Sequence, residues 1–185
     1  MNDSILKDLS KFPEYVLEGF GMESQKQYSK AFDLYSKALD LKKDSPTVYI
    51  RRAYCGAKMG LVEDVVADLS EAVLLEPMTP TDYLTVGWFR ATNPFPRYRD
   101  GPLAVALAQK SLEGRESIDG YDVLAAGYAA MGSYGKALDV LRMAVKKFPE
   151  SERVSAINDR IVLFKQKKQF NEDWSAVEGQ DPSRK

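Results

Sequence analysis

The chain has 185 residues, of which 44% are hydrophobic and 29% charged. This composition is typical of a single folded domain rather than of a disordered or fibrous protein. A net charge of −1 provides no overall basic field of the kind that attracts nucleic acid or an anionic membrane, so we expect neither as a partner.

The residue types that most often carry chemistry are scarce. There is no histidine, which removes the commonest general base and metal ligand. The single cysteine, Cys55, can form neither an internal disulfide nor a zinc ligand set, and its apolar helical neighbours favour a packed, inert thiol. No glycine-rich phosphate-binding loop is present. We therefore predict no catalytic residue, no metal, no cofactor and no small-molecule substrate, and we expect that the chain is not an enzyme.

Residues 1–11 are predicted to be a leader segment, for which a short helix is one possibility. Charged residues interrupt its apolar positions, so it does not have the pattern of a secretory signal. The chain also has no apolar run of the ~20 residues that a membrane-spanning helix needs. We expect a cytoplasmic protein that does not span a membrane.

The chain repeats itself from residue 12 onwards. Successive tyrosines lie 34, 34 and 38 residues apart, and each is followed four residues later by a small residue that lets two helices approach closely. Further along each unit, small and apolar residues recur at spacings of four and three, which places them on one helical face. The tyrosines are Tyr15, Tyr49, Tyr83 and Tyr121, and the small residues are Gly19, Ala53, Gly87 and Ala125.

Turn residues divide each unit into two helices. Gly60 and Gly132 follow the first apolar stretch of their units and are predicted to end a helix in the left-handed conformation. Pro77 and Pro149 then close the second helix, because proline cannot continue a helix. In the first unit Lys26 stands at the position of the turn glycine.

This order of tyrosine, small residue, turn glycine, alanines and proline resembles the tetratricopeptide repeat over residues 12–150. The resemblance is strongest in the second and fourth units. It implies an all-α protein, a right-handed superhelix of four helix-turn-helix repeats. The predicted repeats are 12–45, 46–79, 80–117 and 118–150.

The third unit is about five residues longer between its tyrosine and its later alanine, and the excess lies in residues 91–101. Two prolines in this segment prevent a continuous helix, and Asp100 is predicted to cap a helix that begins near Pro102. The Pro-x-x-Tyr-Arg-Asp-Gly pattern is similar to an insertion in some bacterial-type members of the family.

A final helix is predicted over residues 151–177. Its apolar stripe of Val154, Ile157, Ile161 and Phe164 opposes the polar Arg153, Asp159, Arg160 and Lys165. Such a helix would cap the last repeat, whose apolar face would otherwise be exposed to water. The tail, residues 178–185, is predicted to be disordered.

The resemblance implies that the first helix of each unit lines a concave groove that binds a peptide or a helical segment of a partner protein. Within the predicted groove, three aromatic residues occupy equivalent places in successive repeats, namely Phe20, Tyr54 and Trp88. These rings either contact the partner or pack between repeats, and the sequence leaves both open. The groove-facing positions are Phe20, Ile50, Arg51, Tyr54, Lys58, Leu84, Trp88, Asp122 and Ala126.

The sequence therefore predicts a protein-interaction module or scaffold. One subclass of the family clamps a terminal carboxylate with Lys and Asn side chains, and only Arg51 carries a suitable charge at those places. We expect instead an apolar or aromatic segment, with Arg51 and Lys58 attracting an acidic residue. One alternative is homo-oligomeric assembly through the groove or the C-terminal helix with Phe170 and Trp174. An enzyme of unknown reaction is the least favoured alternative.

Overall fold

The computed structural model describes residues 10–75 and 77–171, and every regular element in these ranges is a helix. The all-α fold class predicted from the sequence is confirmed. The described part of the chain contains one 3₁₀ turn, Pro96–Tyr98, and the following α-helices: α1 Phe12–Ser24, α2 Tyr28–Leu41, α3 Pro46–Met59, α4 Val62–Leu74, α5 Pro80–Thr92, α6 Gly101–Gly114, α7 Ile118–Ala130, α8 Tyr134–Lys147 and α9 Val154–Lys165.

These helices belong to two compact units. The N-terminal unit contains α1 to α4, and the C-terminal unit, residues 79–173, contains α5 to α9. Within each unit consecutive helices pack on one another, and α5 also packs against α7. The repeat boundaries predicted above remain predictions. None of the described helices is both long enough and apolar enough to cross a membrane.

Two helices, α3 and α7, end in the left-handed glycine turn that the sequence predicts. Gly60 and Gly132 have φ values of 78° and 73°, in the left-handed region that favours glycine. At the end of α3, the N–H of Leu61 donates to the carbonyl of Gly56 at 2.9 Å. The N–H of Gly60 donates to the carbonyl of Ala57 at 3.3 Å, which completes a Schellman motif.

Lysines adopt the same conformation at the ends of α1 and α9. Lys26 has φ 58° and Lys167 has φ 54°, and the same pair of backbone hydrogen bonds closes each turn. Because an L side chain is strained in this region by about 1 kcal/mol or more, these turns are made at a cost that glycine avoids. The two lysine turns therefore follow the fold rather than the local residue preference.

Substituting Lys26→Gly is expected to raise the free energy of unfolding by about 1 kcal/mol, since the turn is already left-handed. Urea denaturation of the two chains measures this difference. Lys43→Gly serves as the control, because the φ of Lys43 is not positive and glycine there only adds freedom to the unfolded chain. A gain of the same size at both positions would contradict the explanation.

Small residues permit the close packing of helices that the repeat pattern predicts. A Cβ atom placed on Gly19 would lie 2.6 Å from Cε1 of Tyr35, and one placed on Gly87 would lie 2.8 Å from Cγ1 of Val123. Both distances are too short for a methyl group. Tyr35 is fully buried, so α1 can approach α2 only because residue 19 has no side chain.

The segment between α5 and α6 forms an ordered turn. α5 ends at Thr92, the 3₁₀ turn follows, and α6 begins at Gly101. The side chain of Asp100 accepts a hydrogen bond from the N–H of Leu103 at 2.9 Å, which confirms the predicted cap. The N–H of Asp100 also donates to the carbonyl of Arg90 at 2.9 Å and ties the segment back to α5.

The C-terminal helix is shorter than predicted. α9 spans Val154–Lys165 instead of 151–177, because the left-handed turn at Lys167 ends it. Arg160, predicted on the polar face, is only 6% exposed. Residues 172–177, the predicted tail 178–185 and residues 1–9 of the leader lie outside the described residues.

Candidate protein-binding surface

The predicted groove residues lie on α1, α3, α5 and α7, the first helices of the predicted repeats. Their exposure to solvent differs between the N-terminal and the C-terminal compact units. In the N-terminal unit four of them retain accessible surface: Phe20, Arg51, Tyr54 and Lys58. We call these four residues the N-terminal surface.

Arg51 is positioned by a carboxylate that the sequence did not single out. Its Nη1 atom donates to Oε1 of Glu23 at 2.9 Å, and Oε2 of Glu23 accepts a hydrogen bond from the Tyr35 hydroxyl at 2.8 Å. The guanidinium lies 4.7 Å from the centre of the Phe20 ring. With 42% of its side chain exposed, Arg51 is oriented on the surface without being removed from solvent.

The hydroxyl of Tyr35 anchors this arrangement from the core. Burial, together with the hydrogen bond to Glu23, raises the pKa of Tyr35, so its phenol stays protonated and donates to the carboxylate. Glu23 lies three residues after Phe20 on α1, a spacing that places both on one helical side. That spacing is the only signal in the sequence that could have identified Glu23.

Tyr54 forms the second part of the N-terminal surface. Its ring meets Tyr28 edge to face at a centroid distance of 6.1 Å, and Nζ of Lys58 lies 5.4 Å from its centre. Lys58 is exposed, whereas Tyr54 is half-buried. Burial is the main cause that raises the pKa of Tyr54, so this ring also remains a neutral phenol.

Two neighbours of Tyr54 belong to the core. Ile50 is 4% exposed, so its side chain packs in the core rather than on the N-terminal surface. Cys55 is fully buried, and burial raises the pKa of its thiol to about 12. Such a thiol is protonated at neutral pH and is a poor nucleophile, as the sequence predicted.

In the C-terminal unit two predicted contacts are also buried. Asp122 is 1% exposed and Ala126 is fully buried, so neither side chain is open to a partner. Oδ2 of Asp122 lies 3.3 Å from Nη1 of Arg160 and 3.3 Å from Nη2 of Arg153. Burial raises the pKa of Asp122 to about 6, and the two arginines partly offset that effect. Arg160 of α9 and Arg153 just before it therefore lie over Asp122 on α7, a contact that the sequence did not indicate.

The remaining two positions are half-buried within the same unit. Leu84 packs against Ala108, Val123 and Leu124. Trp88 lies 5.4 Å from the ring of Phe170, measured between ring centres, and the guanidinium of Arg160 lies 4.8 Å from Trp88. Trp88 thus contacts the C-terminal end of the described chain, and like Phe20 and Tyr54 it is half-buried.

No family model matches the sequence. The chain is 30% identical over 124 residues to the small glutamine-rich tetratricopeptide repeat-containing protein 2 of Mycosarcoma maydis. This match covers 67% of the chain but spans only a third (33%) of the length of that relative.

Two solved structures have a similar fold. One is the MamA protein, with a TM-score of 0.63, 17% identity and coverage of 94% of both chains. The other is YrrB, described as a tetratricopeptide repeat protein with an unusual peptide-binding site, with a TM-score of 0.62, 16% identity and coverage of 89% of this chain and 80% of YrrB.

The architecture is that of proteins built from stacked pairs of short helices. The solved structures and the curated relative together support the tetratricopeptide repeat family for this chain.

Proposed function

We propose that the chain is a protein-interaction module whose N-terminal surface binds a peptide or a helical segment of another protein. The observation that carries the proposal is the alternation of accessible rings and cations on α1 and α3. Phe20 and Tyr54 supply apolar area, and Arg51 and Lys58 lie within 4.7 Å and 5.4 Å of those rings. Aromatic residues and arginine dominate the binding energy of protein interfaces.

The charges on this surface define the kind of segment that fits it. Arg51 and Lys58 favour an acidic residue on the partner. Glu23 already pairs with Arg51, so an incoming carboxylate shares that guanidinium rather than neutralising a lone charge. We therefore infer a segment with apolar or aromatic anchors beside one acidic residue. The similarity in fold to YrrB, a protein with a peptide-binding site, supports this class of ligand.

We further propose that the chain acts as a scaffold in the cytoplasm, uses no cofactor and catalyses no reaction. Within residues 10–75 and 77–171 no group of histidine, cysteine or carboxylate side chains is arranged to hold a metal ion. The buried, protonated thiol of Cys55 and the paired carboxylate of Glu23 offer no activated nucleophile, which supports binding rather than catalysis.

The proposal is tested with peptides selected from a random displayed library on the purified chain. Fluorescence polarisation then measures the affinity of the selected peptides for four variants. We expect Tyr54→Ala and Arg51→Ala to weaken binding at least about tenfold, a typical loss for interface anchors. Leu74→Ala, which removes an exposed apolar side chain from α4, and Lys43→Ala, which removes a charge outside the surface, are the matched controls.

Circular dichroism and thermal unfolding establish that each variant is folded. Equal affinity of all four variants for the selected peptides would show that ligands bind elsewhere. Weaker binding by the two control variants to the same extent would show a general loss of structure. Either result would remove the assignment of the N-terminal surface.

A further inference from the structure

A second recognition feature lies in the C-terminal unit, apart from the N-terminal surface. After the left-handed turn at Lys167, residues 168–171 have no regular structure and run back over α5. Three side chains in a row, Gln169, Phe170 and Asn171, each make a defined contact with that unit. Gln169 and Asn171 are held by hydrogen bonds, and Phe170 is held by a ring contact.

Phe170 occupies an aromatic and cationic pocket. Its ring centre is 5.4 Å from that of Trp88, and the guanidinium of Arg160 lies 4.7 Å from Phe170 and 4.8 Å from Trp88. The cation thus contacts both rings at once, an arrangement that stabilises aromatic side chains. Arg160 is itself only 6% exposed and pairs with Asp122, so the pocket is built from fixed groups.

Gln169 and Asn171 are recognised through their carboxamides. Nε2 of Gln169 donates to the carbonyl of Ala91 at 3.2 Å. Ala91 lies in the last turn of α5, where carbonyl groups lack a partner inside the helix. On the other side, Nη2 of Arg99 donates to Oδ1 of Asn171 at 2.7 Å. A backbone acceptor and a guanidinium donor therefore flank the aromatic pocket.

The inserted segment 91–101 supplies both of these flanking groups. Arg99 is held by the insertion's own backbone, because its Nε donates to the carbonyl of Asn93 at 2.6 Å and its Nη2 approaches the carbonyl of Pro94 at 3.4 Å. The insertion departs from the repeat pattern, and its residues present a donor beside the end of α5. The insertion thus supplies contacts that hold residues 169–171 against the C-terminal unit.

We propose that Trp88, Ala91, Arg99 and Arg160 form a recognition slot for a segment of the pattern Gln-aromatic-Asn, and that the chain's own residues 169–171 are its resident ligand. Because residues 169–171 of the same chain fill the slot, the α5 face of the C-terminal unit is closed to other proteins until that segment dissociates. A partner that carries the same pattern would compete for it. This inference does not depend on peptide binding at the N-terminal surface.

Tryptophan fluorescence tests the slot in the full chain. The chain has two tryptophans, so Trp174→Phe leaves Trp88 as the sole reporter. In this background we expect Phe170→Ala to increase acrylamide quenching of Trp88 several-fold. Asn171→Ala changes an exposed side chain outside the core, so it keeps the fold and is expected to increase quenching to a smaller extent. Unchanged quenching in both variants would overturn the proposal.

A synthetic peptide with the sequence of residues 166–173, Gln-Lys-Lys-Gln-Phe-Asn-Glu-Asp, provides the second measurement. We expect the labelled peptide to bind the Phe170→Ala chain at least about tenfold more tightly than the wild-type chain, whose slot is filled. A peptide with alanine in place of phenylalanine should bind neither. Equal binding to both chains, or none to the variant, would overturn the slot.

Dilution separates the chain's own segment from that of a second copy. Quenching of Trp88 in the otherwise unchanged Trp174→Phe chain is expected to be independent of protein concentration, because the occupant is covalently attached. Quenching that rises on dilution would mean that another copy supplies residues 169–171, which contradicts the intramolecular assignment.

Discussion

Arg52→Met is expected to lower the free energy of unfolding of the chain by about 3 kcal/mol at neutral pH. Arg52 joins α3 to α4 through two hydrogen bonds, from Nε to Oδ2 of Asp68 at 2.9 Å and from Nη2 to Oδ1 at 2.6 Å. Asp68 is 2% exposed, so the substitution leaves a buried carboxylate without its counter-charge. Methionine keeps much of the apolar volume, which makes the lost charge the main cause.

The effect should depend on pH in a defined direction. Burial already raises the pKa of Asp68, and Arg52 opposes that rise. Without the arginine the pKa rises further, so the penalty is present above that pKa and shrinks as the pH falls and the carboxyl takes up a proton. Urea denaturation at several pH values measures this change.

An exposed ion pair in the other unit provides the control. Arg142 and Asp139 are 3.2 Å apart with side chains 58% and 77% exposed, so Arg142→Met should change stability by less than about 1 kcal/mol. If Arg52→Met proved as mild as Arg142→Met, the buried pair would not be holding α3 and α4 together.

The second large effect on the free energy of unfolding is expected when Asp122 loses a counter-charge. Arg160→Met should lower the free energy of unfolding by about 3 kcal/mol near pH 7, because the nearly inaccessible Asp122 loses one of its two arginines. The same change removes the cation between Trp88 and Phe170. Adding Asp122→Asn to Arg160→Met should recover a large part of the loss, since the amide carries no charge to leave unpaired.

Asp122 also predicts the pH dependence of the wild-type chain. Its pKa rises from the ordinary 3.8 to about 6 in the folded state, so the folded chain binds this proton more tightly than the unfolded chain. The stability from this group is complete below the unfolded value and is lost as the pH rises through about 6. Asp122→Asn should remove that decline between pH 4 and pH 7, as followed by urea denaturation. An identical decline in both chains would contradict the assignment.

The helices and turns were accessible from the sequence because they depend on local rules. The glycines at positions 60 and 132 and the cap at Asp100 each report a constraint within a few residues of chain, and the 34-residue step repeats that local pattern along the sequence. The end of α9 was not accessible in this way. Lys167 adopts a left-handed turn that lysine does not favour, so the residue that ends the helix carries no signal of doing so.

The binding surface was predicted only in part, since exposure is a property of the whole unit. Phe20 and Tyr54 occupy equivalent places in the repeat with Trp88, yet Trp88 is covered by Phe170, a residue 82 positions later in the chain. Asp122 was assigned to a groove by its place in the repeat, but α9 brings Arg160 over it. Long-range contacts of this kind leave no trace in a repeat pattern.

The central claim is that a partner segment binds across α1 and α3 of the N-terminal unit. Mapping of amide chemical-shift changes in the isotope-labelled chain, on addition of a peptide selected for binding, tests it most directly. We expect the largest changes around Phe20, Arg51, Tyr54 and Lys58, with small changes on the outer positions of α2 and α4. Changes concentrated on α2 and α4, or none on the N-terminal surface at saturating peptide, would contradict the claim.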